Sequence, residues 1–437
     1  MMMAGPLARR MYTRLPAKAF ADDFAHHAAG VARLNHGSFG SAPAPVLAAE
    51  HAIRMGWLAQ PDAEYFSRAL DEDLAAAAVA AGRAIGAGDG TAALVENATV
   101  ATAICLHRWR DRGGRALLLS CAYGGVKRAA LALLGRERVV ESPVAFPGTT
   151  HEGVLEALDE TLARQRPRYA LLDHIASQPA LVLPVAAMVA LCRERGVEEV
   201  AVDGAHALGQ VPVDVERISA DVYYSNVHKW AFAGPTATVL HARDPAAVRH
   251  AVPSWNAGDG CLLADARWTG TRDYAAMRAV PRALAYLADW RSTDGLDAPT
   301  FNAAGLRAAA GDLRRAWQVG PACAEDDCFA SMGMLRLPKG LDMSRDAPGV
   351  PNTPESLRSR LRADFGVEAA VGGFLDQDGT LGGFLRLSHA VYTTDDDVVR
   401  LRDAVLALAG GGGGGAGGRA SAGPPPRRPL PRRAAFG

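Results

Sequence analysis

Two residues with complementary charge stand at the centre of this chain. Asp203 ends an apolar run that starts near Glu198, and Lys229 comes shortly after a second such run, Asp221 to Tyr224, through Ser225-Asn226-Val227-His228. Both runs are short and rich in β-branched or aromatic residues, the composition of buried strands. A carboxylate at one strand end and a primary amine just past the next can grip a polar group between them. His206 follows Asp203 by three residues and adds an imidazole to the same stretch.

The surrounding sequence predicts the elements that hold this pair. Strands are predicted over 92–95, 116–119, 138–140, 169–173 and 236–241. Helices are predicted over 67–85, 100–109, 123–134 and 151–164. A further helix follows Pro184, with Val185, Met188, Val189 and Cys192 sharing a face. Strands alternating with helices imply an α/β fold, a mostly parallel sheet covered on both faces. Ligands bind such sheets beyond the carboxyl ends of the strands. Asn97, Tyr123, Asp173, Asp203 and the segment 225–229 all lie just past a predicted strand. Glu96-Asn97-Ala98-Thr99 before a helix reads either as a plain N-cap or as an anion site made by free N–H groups and the helix dipole. Later in the chain a helix is predicted over 277–290. The strand 383–388 follows, then a helix capped by Thr394 with Val398, Leu401, Val405 and Leu408 on one face.

Bulk properties set limits. The 437 residues suffice for one large or two medium domains, and 22% of them are charged. Equal numbers of basic and acidic residues, 47 each, give no general attraction to nucleic acid or an anionic membrane. The longest apolar run, 179–192, is shorter than the ~20 residues that span a bilayer, and Pro184 interrupts it. Six scattered cysteines point to a reducing compartment rather than a disulfide framework, and no metal site is expected from them. Residues 1–20 carry Arg9, Arg10, Arg14 and Lys18 and no acid, so they read as a solvated terminus or a short organellar presequence. The expected compartment is accordingly the cytoplasm or, with a presequence, a mitochondrion or plastid. The Gly-, Pro- and Arg-rich stretch 410–437 cannot bury a core and is expected to be disordered.

Seven segments in order resemble the class V aminotransferases of fold type I, in the branch that is isopenicillin-N-epimerase-like and plant cysteine-desulfhydrase-like. They are Leu34-Asn35-His36-Gly37-Ser38-Phe39-Gly40, Asn97-Ala98-Thr99, Asp173-His174-Ile175, Asp203-Gly204-Ala205-His206, His228-Lys229-Trp230, Trp268-Thr269-Gly270-Thr271-Arg272-Asp273 and Arg386-Leu387-Ser388 with Tyr392-Thr393-Thr394. The resemblance implies a large domain over 34–290 that binds pyridoxal 5'-phosphate (PLP) and a smaller α/β domain over 291–409. An arm over 1–33 precedes them, and the tail follows from 410.

The resemblance also implies roles. Lys229 forms the Schiff base with the cofactor and moves the substrate's Cα proton. Asp203 faces the pyridine nitrogen, a contact that contributes about 4 kcal/mol at an effective dielectric of ~20. His206 approaches the ring hydroxyl, or is a histidine behind the site. Tyr123 stacks on the ring, or is an ordinary core tyrosine. Ala98, Thr99, Asn226 and His228 hold the phosphate, with Thr271 reaching in from a second subunit, which makes a homodimer. Arg386 grips the α-carboxylate of a small amino-acid substrate, or forms a strand-end salt bridge. Asn35 and His36 line the substrate side. Cysteine desulfurases carry a nucleophilic cysteine shortly before that arginine, whereas 366–384 has none here. Ala122 stands where epimerase-like relatives often carry an acid. The expected reaction is β-elimination by a C–S lyase of the L-cysteine desulfhydrase type; epimerisation at Cα and transamination are the alternatives. A scaffold that keeps the fold without catalysis is the competing class, and the intact Asp203–Lys229 pair speaks against it.

Overall fold

The computed structural model describes residues 18–20, 22–257, 260–323, 328–346, 352–375 and 381–410. The expected presequence or solvated terminus lies almost entirely outside the described residues, as does the tail expected from 410, except for Gly410, which instead ends the helix Asp395–Gly410.

The main sheet has seven strands: β1 (Ala92–Val95), β2 (Ala116–Leu119), β3 (Val139–Ser142), β4 (Tyr169–Asp173), β5 (Glu199–Asp203), β6 (Val222–Asn226) and β7 (Thr238–Ala242). Their spatial order is β1-β7-β6-β5-β4-β2-β3. All neighbours run parallel except β7, which is antiparallel to both β1 and β6. Alternate residues serve the two faces, as the pleat requires. Leu117, Leu119, Ala170, Leu172, Val200, Val202 and Tyr223 join the core on one side. Ala116, Leu118, Tyr169, Leu171, Ala201, Val222 and Tyr224 join the core on the other. Burial on both faces explains why these strands read as continuous apolar runs.

Four helices matter for the site: α1 (His36–Phe39), α2 (Ala98–Arg112), α3 (Gly124–Leu134) and α4 (Leu357–Phe365). The helix after Pro184 spans Val185–Glu194 and buries the four residues expected of it. The single helix expected over 277–290 is two, Ala275–Arg278 and Val280–Asp289. Pro281 causes the break, because it has no N–H to donate to the carbonyl of Met277.

A second sheet contains β8 (Met332–Arg336), β9 (Ala370–Leu375) and β10 (Leu381–Ser388), in the antiparallel order β9-β10-β8. The N-terminal segment reaches it. Ala32–Arg33 pairs in parallel with Val367–Glu368, and Ser388 N–H donates to Leu34 O at 3.0 Å. These bonds bring residues 35–40 between Arg386 on β10 and Lys229 beyond β6. Among the described residues, no helix is long and apolar enough to cross a membrane.

Candidate active site

The carboxyl ends of β4, β5 and β6 form the floor of a cavity of about 400 Å³. Asp203 is buried on that floor, and its Oδ1 accepts from Ala205 N–H at 2.9 Å. Asp173 is its register partner on β4 and is buried beside it. Burial pushes both carboxyls up. The Ala205 N–H, Lys229 and the Tyr224 hydroxyl pull Asp203 back, whereas the Asp203 charge raises Asp173 further. Asp203 is therefore raised less than Asp173 and gives up its proton the more readily of the two.

Lys229 is partly buried on the opposite wall, with Nζ 3.1 Å from His206 Nε2. Desolvation lowers its ammonium to about 8; Asp203 opposes the shift and Arg386 adds to it. Burial, then Lys229, hold the His206 imidazole well below its usual range, so it is neutral and Nε2 accepts from the amine. His206 Nδ1 is buried and has no partner among the described residues. The backbone that carries Lys229 is clamped. His36 Nε2 donates to Lys229 O at 3.0 Å, and Gly40 and Gly209 pack where a Cβ would fall 1.9 Å from His228 O and 2.3 Å from Trp230 O. Both glycines thus press against the backbone of the segment that carries Lys229.

The start of α2 faces the same cavity. Asn97 caps it, its Oδ1 accepting from Val100 N–H at 3.0 Å. Asn226 Oδ1 accepts from Ala98 N–H at 3.0 Å and from Thr238 Oγ1 at 2.6 Å. The cap is real and takes the Val100 N–H, while Asn226 takes that of Ala98. Ala98 and Asn226, expected to hold phosphate directly, bond to each other, because β7 runs antiparallel and delivers Thr238 to this end of the sheet. The Thr99 N–H and hydroxyl keep no partner among the described residues, and His228 Nδ1 donates to Ala237 O at 2.9 Å, leaving Nε2 toward the cavity.

Arg386 closes the far side. It is buried; Nη1 donates to Ser177 O at 2.7 Å, and Nη2 donates to Asn35 Oδ1 at 2.9 Å and Ser38 Oγ at 2.8 Å. Nε has no partner. Burial, followed by Arg358, depresses its guanidinium to about 10. Asn35 positions Arg386. His36 departs from its expected place against the substrate: it lies behind Lys229, accepting from the Tyr392 hydroxyl at 2.8 Å and packing on Trp230 at 4.5 Å. Its ring fits there because Gly37, whose Cβ would sit 2.9 Å from Met332 Sδ, allows the chain to turn tightly under β10.

Tyr123 stands at the cavity mouth, 54% exposed, as the residue before α3. It is not a core tyrosine. Thr271 is exposed in a separate groove beside Trp57 and Leu58 and does not line this chain's own cavity. The structure also brings Ser38, Ser177, Gln178 and Arg358 to the wall, none of which sequence reasoning singled out. Ser177 closes the loop after Asp173, a signal in hindsight. Gln178 and Arg358 have no such signature.

This lining suits a flat, electron-poor ring bearing an anionic arm. The Asp203 carboxyl meets a ring nitrogen, a Lys229 amine with its ammonium lowered to about 8 meets an electrophilic carbon, and a helix start with open donors meets a phosphate. The orphaned His206 Nδ1 and the volume of the cavity agree with a group of PLP's size.

Comparison with known proteins gives the following. A family model described as aminotransferase class-V matches residues 101–291. The chain is 37% identical to the putative L-cysteine desulfhydrase 1 of Oryza sativa subsp. japonica, over 91% of this chain and 87% of that protein. It is 34% identical to the L-cysteine desulfhydrase of Arabidopsis thaliana, over 88% of this chain and 89% of that protein. Its fold is similar to that of a C-DES variant with glycine covalently linked to its PLP cofactor, with TM-score 0.68 and 17% identity, covering 86% of this chain and 96% of that one.

Proposed function

The chain belongs to the class-V aminotransferase family, and from that premise we propose that it is a PLP-dependent C–S lyase of the L-cysteine desulfhydrase type. The net reaction takes L-cysteine and water to sulfide, pyruvate and ammonia. One observation carries the reading. The Lys229 amine faces Asp203 across a cavity in which, among the described residues, no cysteine lines the wall.

Lys229 would hold the cofactor through its amine, Asp203 through the ring nitrogen, and Thr99 and His228 through the phosphate. Ala98 and Asn226 keep the start of α2 in place for that contact. When bound, PLP withdraws electrons from the substrate's Cα and so acidifies its C–H bond. Arg386 then takes the α-carboxylate, its guanidinium held in orientation by Asn35, Ser38 and Ser177. Lys229 Nζ removes the Cα proton; a conjugate acid near 8 suits both uptake and release at neutral pH. The same nitrogen returns a proton to the sulfur as the Cβ–S bond breaks. His206 Nε2 orients that amine.

Three of the six cysteines have the character of structural thiols rather than sulfur carriers. Cys105, Cys121 and Cys192 are buried, and burial pushes their thiols up, that of Cys192 to about 12. Epimerisation would need a second proton carrier on the other face of Cα, and Tyr123 at the mouth is the group positioned to be tested. The chain is further proposed to be a homodimer in which Thr271 serves the partner's cavity. The exposed Leu58 beside it, 63% accessible, supports a covered face.

Incubation with L-cysteine tests the reading. Sulfide and pyruvate in equal amounts are expected. D-cysteine without pyruvate, or alanine with a protein persulfide, would overturn it.

A further inference from the structure

The reaction leaves Arg358 unused. It lies in the first turn of α4, which Ser356 Oγ caps by accepting from Ser359 N–H at 3.3 Å. Half-buried, it faces the cavity that holds Lys229 and Arg386. It also faces an adjoining cavity of about 390 Å³ walled by Arg345, Gly372 and Phe374. Tyr123, Ser177 and Gln178 line both spaces, so the second continues the first outward. Gly372 gives Gln178 its place, since a Cβ there would come within 2.6 Å of the amide nitrogen.

Arg358 has no ion-pair partner among the described residues. Asp346, on the outer wall, uses its carboxylate on the backbone N–H groups of Leu357 at 2.7 Å and Arg358 at 3.5 Å. The Arg358 charge is close enough to Arg386 to depress it. Two like charges facing one cavity repel each other unless a ligand brings anions to both. The α-carboxylate of an amino acid accounts for Arg386 alone.

We propose that the substrate's sulfur substituent extends into the outer cavity and ends in a carboxylate or sulfonate bound by Arg358. This inference rests on the C–S lyase reading. The Cβ–S bond breaks as before, the sulfur leaves with its substituent and takes a proton, and one water is consumed in forming pyruvate and ammonia. Free L-cysteine, with no second anion, is the poorer substrate.

A matched pair tests this on the holoenzyme: S-carboxymethyl-L-cysteine against its neutral isostere S-carbamoylmethyl-L-cysteine, with pyruvate as readout. The wild type should favour the acid by about 10-fold or more in kcat/KM, the scale of a charge-assisted pair. Arg358→Gln should erase that preference, bringing the acid and the amide within about twofold of each other in kcat/KM, and Arg358→Lys should retain part of it. Equal rates on both compounds in the wild type, or a preference that survives in Arg358→Gln, would overturn the inference. Sulfide release from L-cysteine in the same preparation checks the lyase reading separately. If neither cysteine nor either conjugate is cleaved, calorimetric binding of the pair to PLP-loaded Lys229→Ala protein still decides the anion preference, and equal affinities there refute it.

Discussion

Gly40→Ala is the sharpest single perturbation of the site, although residue 40 touches no ligand. Its backbone has φ 71° and ψ −173°, a conformation that costs a non-glycine residue about 1–3 kcal/mol. An added Cβ would lie 1.9 Å from the carbonyl oxygen of His228 and 2.8 Å from Lys229 Cα. An ordinary C···O contact is about 3.3 Å, so the segment that carries Lys229 must move by more than about 1 Å. Overpacking of that kind costs about 1–3 kcal/mol, for a combined loss of about 2–6 kcal/mol of stability. A displacement of about 1 Å in a reacting group lowers the rate by about 100-fold. Urea unfolding reads the first effect, and kcat on protein shown to retain PLP reads the second. Gly90→Ala is the control. Its φ is 76°, but no atom lies within 4 Å of the added methyl, so it should lose only about 1 kcal/mol and keep full activity. A Gly40→Ala enzyme with kcat within about twofold of the wild type would refute the clamp.

Other outcomes follow from the same geometry. Capture of PLP by the apoprotein should accelerate as pH rises through about 8, because Lys229 loses its proton there. Removing the carboxylate that holds the proton on, in Asp203→Asn, should move the midpoint of stopped-flow absorbance traces to lower pH. A midpoint near that of an ordinary lysine would count against the assignment. Asn226→Leu strands the Ala98 N–H at the start of α2, a loss of about 1–3 kcal/mol, so the Kd for PLP measured by equilibrium dialysis should rise about 5-fold or more. Iodoacetamide should leave sulfide release unaffected, since the thiols of Cys105, Cys121 and Cys192 are buried and raised and the half-buried Cys261 does not line the cavity. Mass spectrometry during turnover should find no persulfide on any cysteine.

The sheet and its ligand end were legible because each strand is buried on both faces, which writes a short apolar run followed by a polar residue. Asp203, Lys229 and the Asn97 cap could be placed from such runs alone. The arginine side was legible only through resemblance, since Asn35 and Arg386 meet across 351 residues of sequence through the pairing of the N-terminal segment with the second sheet. Periodicity cannot report a contact of that kind. The same limit explains His36: its type and position fit a substrate-facing residue, and only the tight turn at Gly37 puts it behind Lys229. The Ala98–Asn226 bond was hidden for another reason. It depends on β7 running antiparallel, and a strand's direction leaves no mark on its composition. Gln178 and Arg358 sit in segments with no distinguishing pattern, and they become visible only once β9 and α4 are packed beside the loop after β4.

Borohydride reduction of the PLP-loaded protein, followed by peptide mapping, tests the central claim most directly. The account predicts one reduced pyridoxyl group per chain, on the peptide that contains Lys229, and none in Lys229→Ala. A label on Lys127, Lys18 or Lys339, or a colourless protein with no label at all, would contradict it.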